Sequence, residues 1–599
     1  MATLRELVEM RTAVPADLAP DGSSALVTSD LGGTMQLYLH EDGVRDLVQL
    51  TDMPEPVGGF FLPASGRILL QMDEGGNELE QLYVVDPEPG AAPQPLVVEP
   101  GYFHRTPSAS RDGRLLAYAS NRRNGVDFDI YVRELDSGQE RLVFAPGGWC
   151  DVAGFSPDGS LLAVLVATER SGDNDLHLVD VESGESFSAV PHDDDSEIGP
   201  PAWLPEGDAF LFATSVGRDT IAIARYDLSE RSWRYVIEAE WDLRCAIDEA
   251  GRTLLVDRNA DGYSRLELRD PRSFELRREV ELPGRGVAAA FVFSRDGRRL
   301  AYHFTSPLVA GDVWICDTGT GASERLTESP SGVSAGELVE PELHRFASFD
   351  GESVPVFLYR PPGEGPFPVV IMIHGGPEAQ LRPIFNPLAQ YFVTNGYAVA
   401  APNVRGSTGY GKRYEHLDDV RKRLDSVRDL VALHDWLGTV DRVDAGRAIL
   451  YGGSYGGYMV LAGLAFHPER WAAGIDIVGV SSLVTFLEHT APWRRAFRER
   501  EYGSLERDRE FLLDVSPLTH VDRIRVPLFI IHGANDPRVP VGEARQIHSS
   551  LAERGIPCEL LVYDDEGHGL KRLPNRLDAY PRAIAFLERA CWPGRGNVP

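Results

Sequence analysis

At 599 residues, with 43% hydrophobic residues and 59 glycines, the chain is too long for a single core and too apolar to stay disordered, so two or more globular domains are expected. A formal charge of -32 argues against nucleic acid and anionic membrane surfaces as partners, because both need positive charge to replace counterions. The five cysteines (Cys150, Cys245, Cys316, Cys558, Cys591) form no C-x-x-C pair and are odd in number, so neither a disulfide framework nor a zinc site is suggested, and no cofactor or metal is expected.

Residues 1–12 mix acids with apolar side chains and contain no apolar core of signal-peptide length. No run approaches the roughly 20 apolar residues of a membrane span. A cytoplasmic location is the expectation, with residues 1–12 as an N-terminal segment that packs on the catalytic domain.

From residue 13 a unit repeats: a glycine turn, an apolar strand, a polar loop, and a second strand ending near Asp. Its glycines are 22, 66, 113, 159, 207, 251 and 297, separated by 44, 47, 46, 48, 44 and 46 residues. Turns such as Pro20-Asp21-Gly22, Arg111-Asp112-Gly113 and Pro157-Asp158-Gly159 sit before apolar runs, where glycine accepts a positive φ and closes a hairpin. That period belongs to four-stranded propeller blades, and seven units imply a seven-bladed β-propeller over residues 13–330. Residues 73–80 (Asp-Glu-Gly-Gly-Asn-Glu-Leu-Glu) and Asp193-Asp194-Asp195 read as plain solvated loops. The repeats are expected to end at Asp317, with 318–330 as the last connection and 331–343 as linker; residues 318–340 and the N-terminal segment are the expected hinge strands.

From residue 344 to 599 strands alternate with helices, the pattern of an α/β domain. Val369-Val370-Ile371-Met372-Ile373 is a buried strand ending in His374-Gly375-Gly376-Pro377. The glycine-rich stretch from Asn403 to Gly411 lacks the Gly-Lys-Ser/Thr of a phosphate loop and reads as a structural loop near the cleft. In the stretch 425–437, Val427, Leu430, Leu433 and Leu437 fall at helical spacing.

Gly452-Gly453-Ser454-Tyr455-Gly456 follows the apolar run Ala448-Ile449-Leu450 and completes G-x-S-x-G, a strained strand-to-helix turn that lifts a serine hydroxyl clear of a sheet. Asp536 follows the strand-like run of residues 526–531. His568 follows the run of residues 558–563 and is flanked by glycines. Serine, acid and histidine in that order, each after its own strand, predict an α/β-hydrolase with Ser454 as nucleophile, His568 as base and Asp536 as its partner. The amides of Tyr455 and Gly376 are the expected oxyanion donors.

A seven-unit propeller followed by His-Gly-Gly-Pro, Asn-x-Arg-Gly-Ser-x-Gly-Tyr-Gly, Gly-Gly-Ser-Tyr-Gly-Gly-Tyr, Asn-Asp-x-Arg-Val-Pro and Asp-Glu-Gly-His-Gly resembles the prolyl oligopeptidase family of serine peptidases. Within it the chain is most similar to the acylaminoacyl-peptidase branch, whose members carry His-Gly-Gly-Pro where the dipeptidyl peptidase IV branch has a tyrosine. The resemblance implies that Arg538 holds a substrate carbonyl. It also implies that Leu483, Phe486, Trp493, Phe497 and Val539 lie in segments lining the acyl pocket, although each serves equally as core. No Glu-Glu pair of the kind that clamps a free N-terminus stands out.

The expected activity is hydrolysis of short peptides through an acyl-enzyme, with the propeller capping the site against folded proteins. Aminopeptidase, dipeptidyl peptidase and small amide or ester hydrolase readings use the same triad; a propeller interaction protein on an inactive scaffold is the non-enzymatic alternative. Homo-oligomerisation stays open.

Overall fold

The computed structural model describes residues 2–19, 24–41 and 46–591. Within them, seven four-stranded antiparallel sheets follow one another from Ala13 to Arg325 and form the seven-bladed propeller. Six of the seven repeat glycines have φ between 63° and 75°, the left-handed conformation that the turns require. The first turn, Pro20-Asp21-Gly22, lies outside the described residues.

Every blade uses four strands consecutive in the chain, so no sheet borrows a strand from a distant segment. The ring is therefore closed by side chains. Ala13, Ala25 and Val27 of the first blade pack against Ala301, Val313 and Ile315 of the last, and His303 Nδ1 donates to the Ala13 carbonyl at 2.9 Å. The last blade corrects the expected end of the repeats: Ser323–Arg325 pairs with Val309–Asp317 as a fourth strand. Three polar residues on an outer edge have no buried face to impose an apolar alternation, so nothing marked them as a strand.

Helix α1 (Leu4–Val8) begins with Thr3 as a capping box and buries Leu7, alongside Met10, Val333 and Leu338, against Tyr391 of the second half. The chain thus touches the second half before it enters the propeller.

The second half is one eight-stranded sheet. Its strands are β1 (Glu342–Ala347), β2 (Ser353–Tyr359), β3 (Phe367–Ile373), β4 (Ala398–Pro402), β5 (Val443–Gly453), β6 (Ala473–Ile477), β7 (Leu528–Gly533) and β8 (Cys558–Tyr563). The order is β1-β2-β4-β3-β5-β6-β7-β8, parallel from β4 onward. Both faces are covered, as parallel sheets require. Along β3, Val369 and Ile371 enter one core with Leu430, Leu433 and Val460, while Val370 and Met372 enter the other with Phe392 and Phe529. Helix α2 (Arg423–Leu437) buries Val427, Leu430, Leu433 and Leu437 as their spacing predicts. This is the expected α/β-hydrolase architecture. Its parallel strands bring the loops after β5, β7 and β8 to one edge of the sheet.

Candidate active site

Strand β5 runs into Ser454, which initiates helix α3 (Tyr455–Phe466). Ser454 has φ 58° and ψ -118°, a conformation costly for a residue with a side chain and held by its surroundings. Its N-H donates to the Ile477 carbonyl of β6 at 2.8 Å. Both motif glycines are needed for contact: a Cβ on Gly452 would strike the Gly456 backbone, and one on Gly456 would strike the carbonyls of Ile373 and His374 at the end of β3. The turn is therefore wedged between β5 and the His-Gly-Gly-Pro loop. Gly375 is the glycine packed beside the Ser454 side chain.

Asp536 follows β7. One carboxylate oxygen accepts the amides of Arg538 at 2.8 Å and Val539 at 2.9 Å, and the other accepts His568 Nδ1-H at 2.7 Å. Two amides fix the carboxylate, which in turn fixes the ring and leaves His568 Nε2 as the nitrogen free to exchange a proton. Asp536 Oδ2 also lies 3.8 Å from buried His532, whose Nε2-H donates to the Val539 carbonyl at 2.7 Å. Burial holds His532 below the usual histidine range, so it supports the loop as a neutral ring. His374 is likewise pushed down by burial and is pinned by Ser407 Oγ at 2.8 Å. The structural reading of residues 403–411 fits: Arg405 pairs with Asp350 and buried Asp429, and Asn403 Oδ1 accepts the Leu381 amide at 2.6 Å.

The propeller reaches this edge directly. Asn535 Nδ2 donates to the Gly75 carbonyl at 2.9 Å, and a Cβ on Gly76 would fall 2.5 Å from the Gly567 nitrogen, next to His568. Residues 73–80 are therefore not the plain solvated loop expected from their acidity; two glycines let their backbone touch the histidine loop. Glu78, at φ 60°, points its carboxylate to Arg538, whose Nε donates at 2.5 Å, and lies 3.8 Å from Arg494. Burial, with Arg538 and Arg498 as neighbours, lowers Arg494 to about 10. Glu80 behind it is raised by burial to about 7. Arg538, expected to face a substrate carbonyl, here bridges the two halves.

Profiles of the known family match on both halves. The prolyl oligopeptidase family matches residues 383–592, and the prolyl oligopeptidase N-terminal beta-propeller domain matches residues 58–329. The chain belongs to the prolyl oligopeptidase family. It is 27% identical to dipeptidyl aminopeptidase BIII of Pseudoxanthomonas mexicana, over 97% of this chain and 87% of that one. The acylamino-acid-releasing enzyme of Rattus norvegicus is 26% identical over 41% of this chain and 35% of its own length. Among solved structures, a puromycin hydrolase superposes with a TM-score of 0.86 at 22% identity, covering 98% of this chain and 96% of that one, a likeness of fold. As a member of the prolyl oligopeptidase family the protein is a serine hydrolase that acts as a peptidase.

Within this prolyl oligopeptidase scaffold, Phe486, Leu483 and Val539 are buried in the core that backs the site. Trp493 and Phe497 stand on helix α4 (Pro492–Tyr502) and face the propeller, with ring centroids 6.4 Å from Phe103 and 5.8 Å from Trp149 respectively. Asp193-Asp194-Asp195 is also no free loop. Asp194 takes Lys412 of the catalytic half and Asp195 pairs with Arg170 at 3.1 Å. They line a cleft of about 630 Å³ with Asp219, Arg413 and His416, apart from all three triad candidates. The carboxylate Asp419 raises His416 to about 9 there.

Proposed function

We infer that the protein hydrolyses short peptides, with Ser454 as the nucleophile. The observation that carries this is the strained Ser454 turn on the same sheet edge as the Asp536–His568 pair. His568 Nε2 takes the hydroxyl proton as Ser454 Oγ adds to the scissile carbonyl, and the oxyanion accepts the amides of Gly376 and Tyr455. The histidine then delivers that proton to the leaving amine as the C-N bond breaks. Water repeats the sequence on the acyl-enzyme, losing its proton to His568 and releasing the acid. Asp536 keeps the ring in the required tautomer throughout and is not itself protonated.

The propeller loop favours a second, narrower reading, in which the amine end of the substrate is selected. Glu78 is an acid of the propeller loop docked on the triad loops, bonded to Arg538, and a peptide's α-ammonium could displace Arg538 from it. Removal of N-terminal residues or dipeptides would follow, consistent with a relative named a dipeptidyl aminopeptidase. The capped site further suits unfolded peptides over folded proteins. A cytoplasmic location fits five cysteines that are all free thiols. No helix among the described residues is long and apolar enough to cross a membrane.

The test is labelling by a fluorophosphonate together with turnover of paired peptides carrying free or acetylated N-termini. Ser454→Ala should remove labelling and lower kcat on the order of a million-fold while the folded state survives. Retention of more than about a hundredth of the activity, against that expected loss, defeats the assignment. Faster turnover of the acetylated series would reject the amine-end reading and leave the peptidase one standing.

A further inference from the structure

Helix α4 (Pro492–Tyr502) lies between the propeller and the proposed oxyanion hole and touches both. Toward the propeller, Trp493 and Phe497 meet Phe103 and Trp149. Arg500 donates to the Arg170 carbonyl at 3.4 Å, and Ser171 Oγ of the fourth blade donates to Glu501 Oε2 at 2.8 Å. Toward the site, Arg498 NH1 and the Tyr502 hydroxyl approach the Gly376 carbonyl at 3.4 and 3.5 Å. Glu501 pairs through its other oxygen with Arg423.

Arg423 is wholly buried at the start of α2 and pairs as well with buried Asp418. Its NH1 donates to the Tyr455 hydroxyl at 3.0 Å, and that hydroxyl donates to Asp418 Oδ2 at 2.8 Å. Ser426 Oγ stands 2.8 Å from the same hydroxyl. Buried ionic groups add little to stability when an apolar replacement would serve, and a hydrogen-bonded network of them instead favours one geometry. Here the bonds run through both Arg423 terminal nitrogens and Asp418 Oδ2, while Arg423 Nε and Asp418 Oδ1 are buried without a partner among the described residues. What this network fixes is the far end of Tyr455, the residue after the nucleophile, whose own N-H is a proposed oxyanion donor.

We propose that Glu501 is a positioning residue that ties propeller docking to the oxyanion hole: Ser171 holds Glu501, Glu501 holds Arg423, and Arg423 holds Tyr455, while the same helix braces Gly376. The inference rests on the reading of Tyr455 and Gly376 as donors. Its consequence is that a propeller swung away to admit substrate leaves a slack oxyanion hole. Opening and hydrolysis then alternate, and the open enzyme is a poor catalyst toward whatever enters.

The experiment uses the full chain with Ser171→Ala, which removes the bond from the fourth blade to Glu501, and Ser171→Thr, which keeps a hydroxyl. Each is assayed on a small activated acetyl ester, too short to reach the propeller, and for affinity toward an alkyl boronic acid, whose tetrahedral adduct on Ser454 places an oxygen in the hole. Donors that act only in the transition state lower kcat when misplaced and leave KM alone. Ser171→Ala is expected to lower kcat about tenfold at unchanged KM, with boronate affinity falling by the same factor. Ser171→Thr should restore both, which a merely structural defect would not. Unchanged kcat and boronate affinity in Ser171→Ala would overturn the proposal, as would a fall in kcat without a matching fall in boronate affinity. If the unaltered enzyme binds no boronate, it is the assignment of Ser454 that fails.

Discussion

The two halves of this chain solve packing in opposite ways. In the propeller, stability is distributed over small cores between neighbouring sheets, as where Leu211 and Ile223 of one blade meet Leu254 and Val256 of the next. In the catalytic half, one central sheet divides two large cores and every parallel strand ends at the same edge. The distributed half can vary its loops at little cost to its cores, and one of those loops, residues 73–80, faces the candidate site. The centralised half cannot alter one strand end without disturbing the chemistry. Substitutions in the catalytic half should therefore act alike on all substrates, and substitutions in propeller loops should act selectively.

The largest effect expected from that contrast is in Asp536→Asn. The wrong histidine tautomer should lower kcat about ten-thousand-fold for ester and peptide alike. A loss confined to peptides, read from steady-state kinetics on both, would break the contrast.

Asp476 of β6 is the next lever. It is fully buried against Gly457 and Gly479 near the Ser454 turn, and burial raises it to about 7. Below about pH 4 the carboxyl is protonated in folded and unfolded chain alike, and its contribution is fully present. As pH rises toward 7 the unfolded chain gives up a proton that the folded one retains, so stability is lost across that window and levels off above it. Asp476→Asn should remove this loss, gaining on the order of 3 kcal/mol at pH 8 over pH 4 relative to the parent. Denaturant midpoints at both values measure it, and parallel pH profiles for the two proteins would refute it.

From the propeller, Glu78→Ala should raise KM about 10- to 100-fold for peptides with a free N-terminus, the cost of one charge-assisted bond, and leave acetylated peptides nearly unchanged. Equal changes in both series would mean that Glu78 only brackets Arg538. Smallest of all is Lys412→Ala at the rim. Its pair with Asp194 is partly exposed, so the change in unfolding free energy should stay below about 1 kcal/mol. A larger shift in thermal melting would show the rim pair to be a structural clamp between the halves.

How legible each half was follows from the same contrast. Ser454, Asp536 and His568 could be put forward as a candidate triad because each follows an apolar strand run and sits in glycine-marked loops, and the blade period could be counted from its turns. Glu78 could not be found that way. Its place depends on a left-handed backbone and on the docking of segments 460 residues apart. The pair Gly75-Gly76 inside an acidic loop was the one available signal, since adjacent glycines mark a close backbone approach. Arg423 and Glu501 were silent, because a charged residue on a helix reads as solvated until its burial is seen. Trp493 and Phe497 were legible as apolar, but sequence offered no way to tell that their partners are Phe103 and Trp149.

The seam between the first and last blades carries an evolutionary meaning. Because each blade is a contiguous run of the chain and, among the described residues, the ring is shut by apolar side chains and a histidine bond, a gene segment encoding a single blade can be duplicated or lost without unpairing any strand elsewhere. Ring size is then free to drift under selection for what is admitted, on a timescale separate from that of the reaction chemistry, which is tied to a sheet that cannot be edited in units.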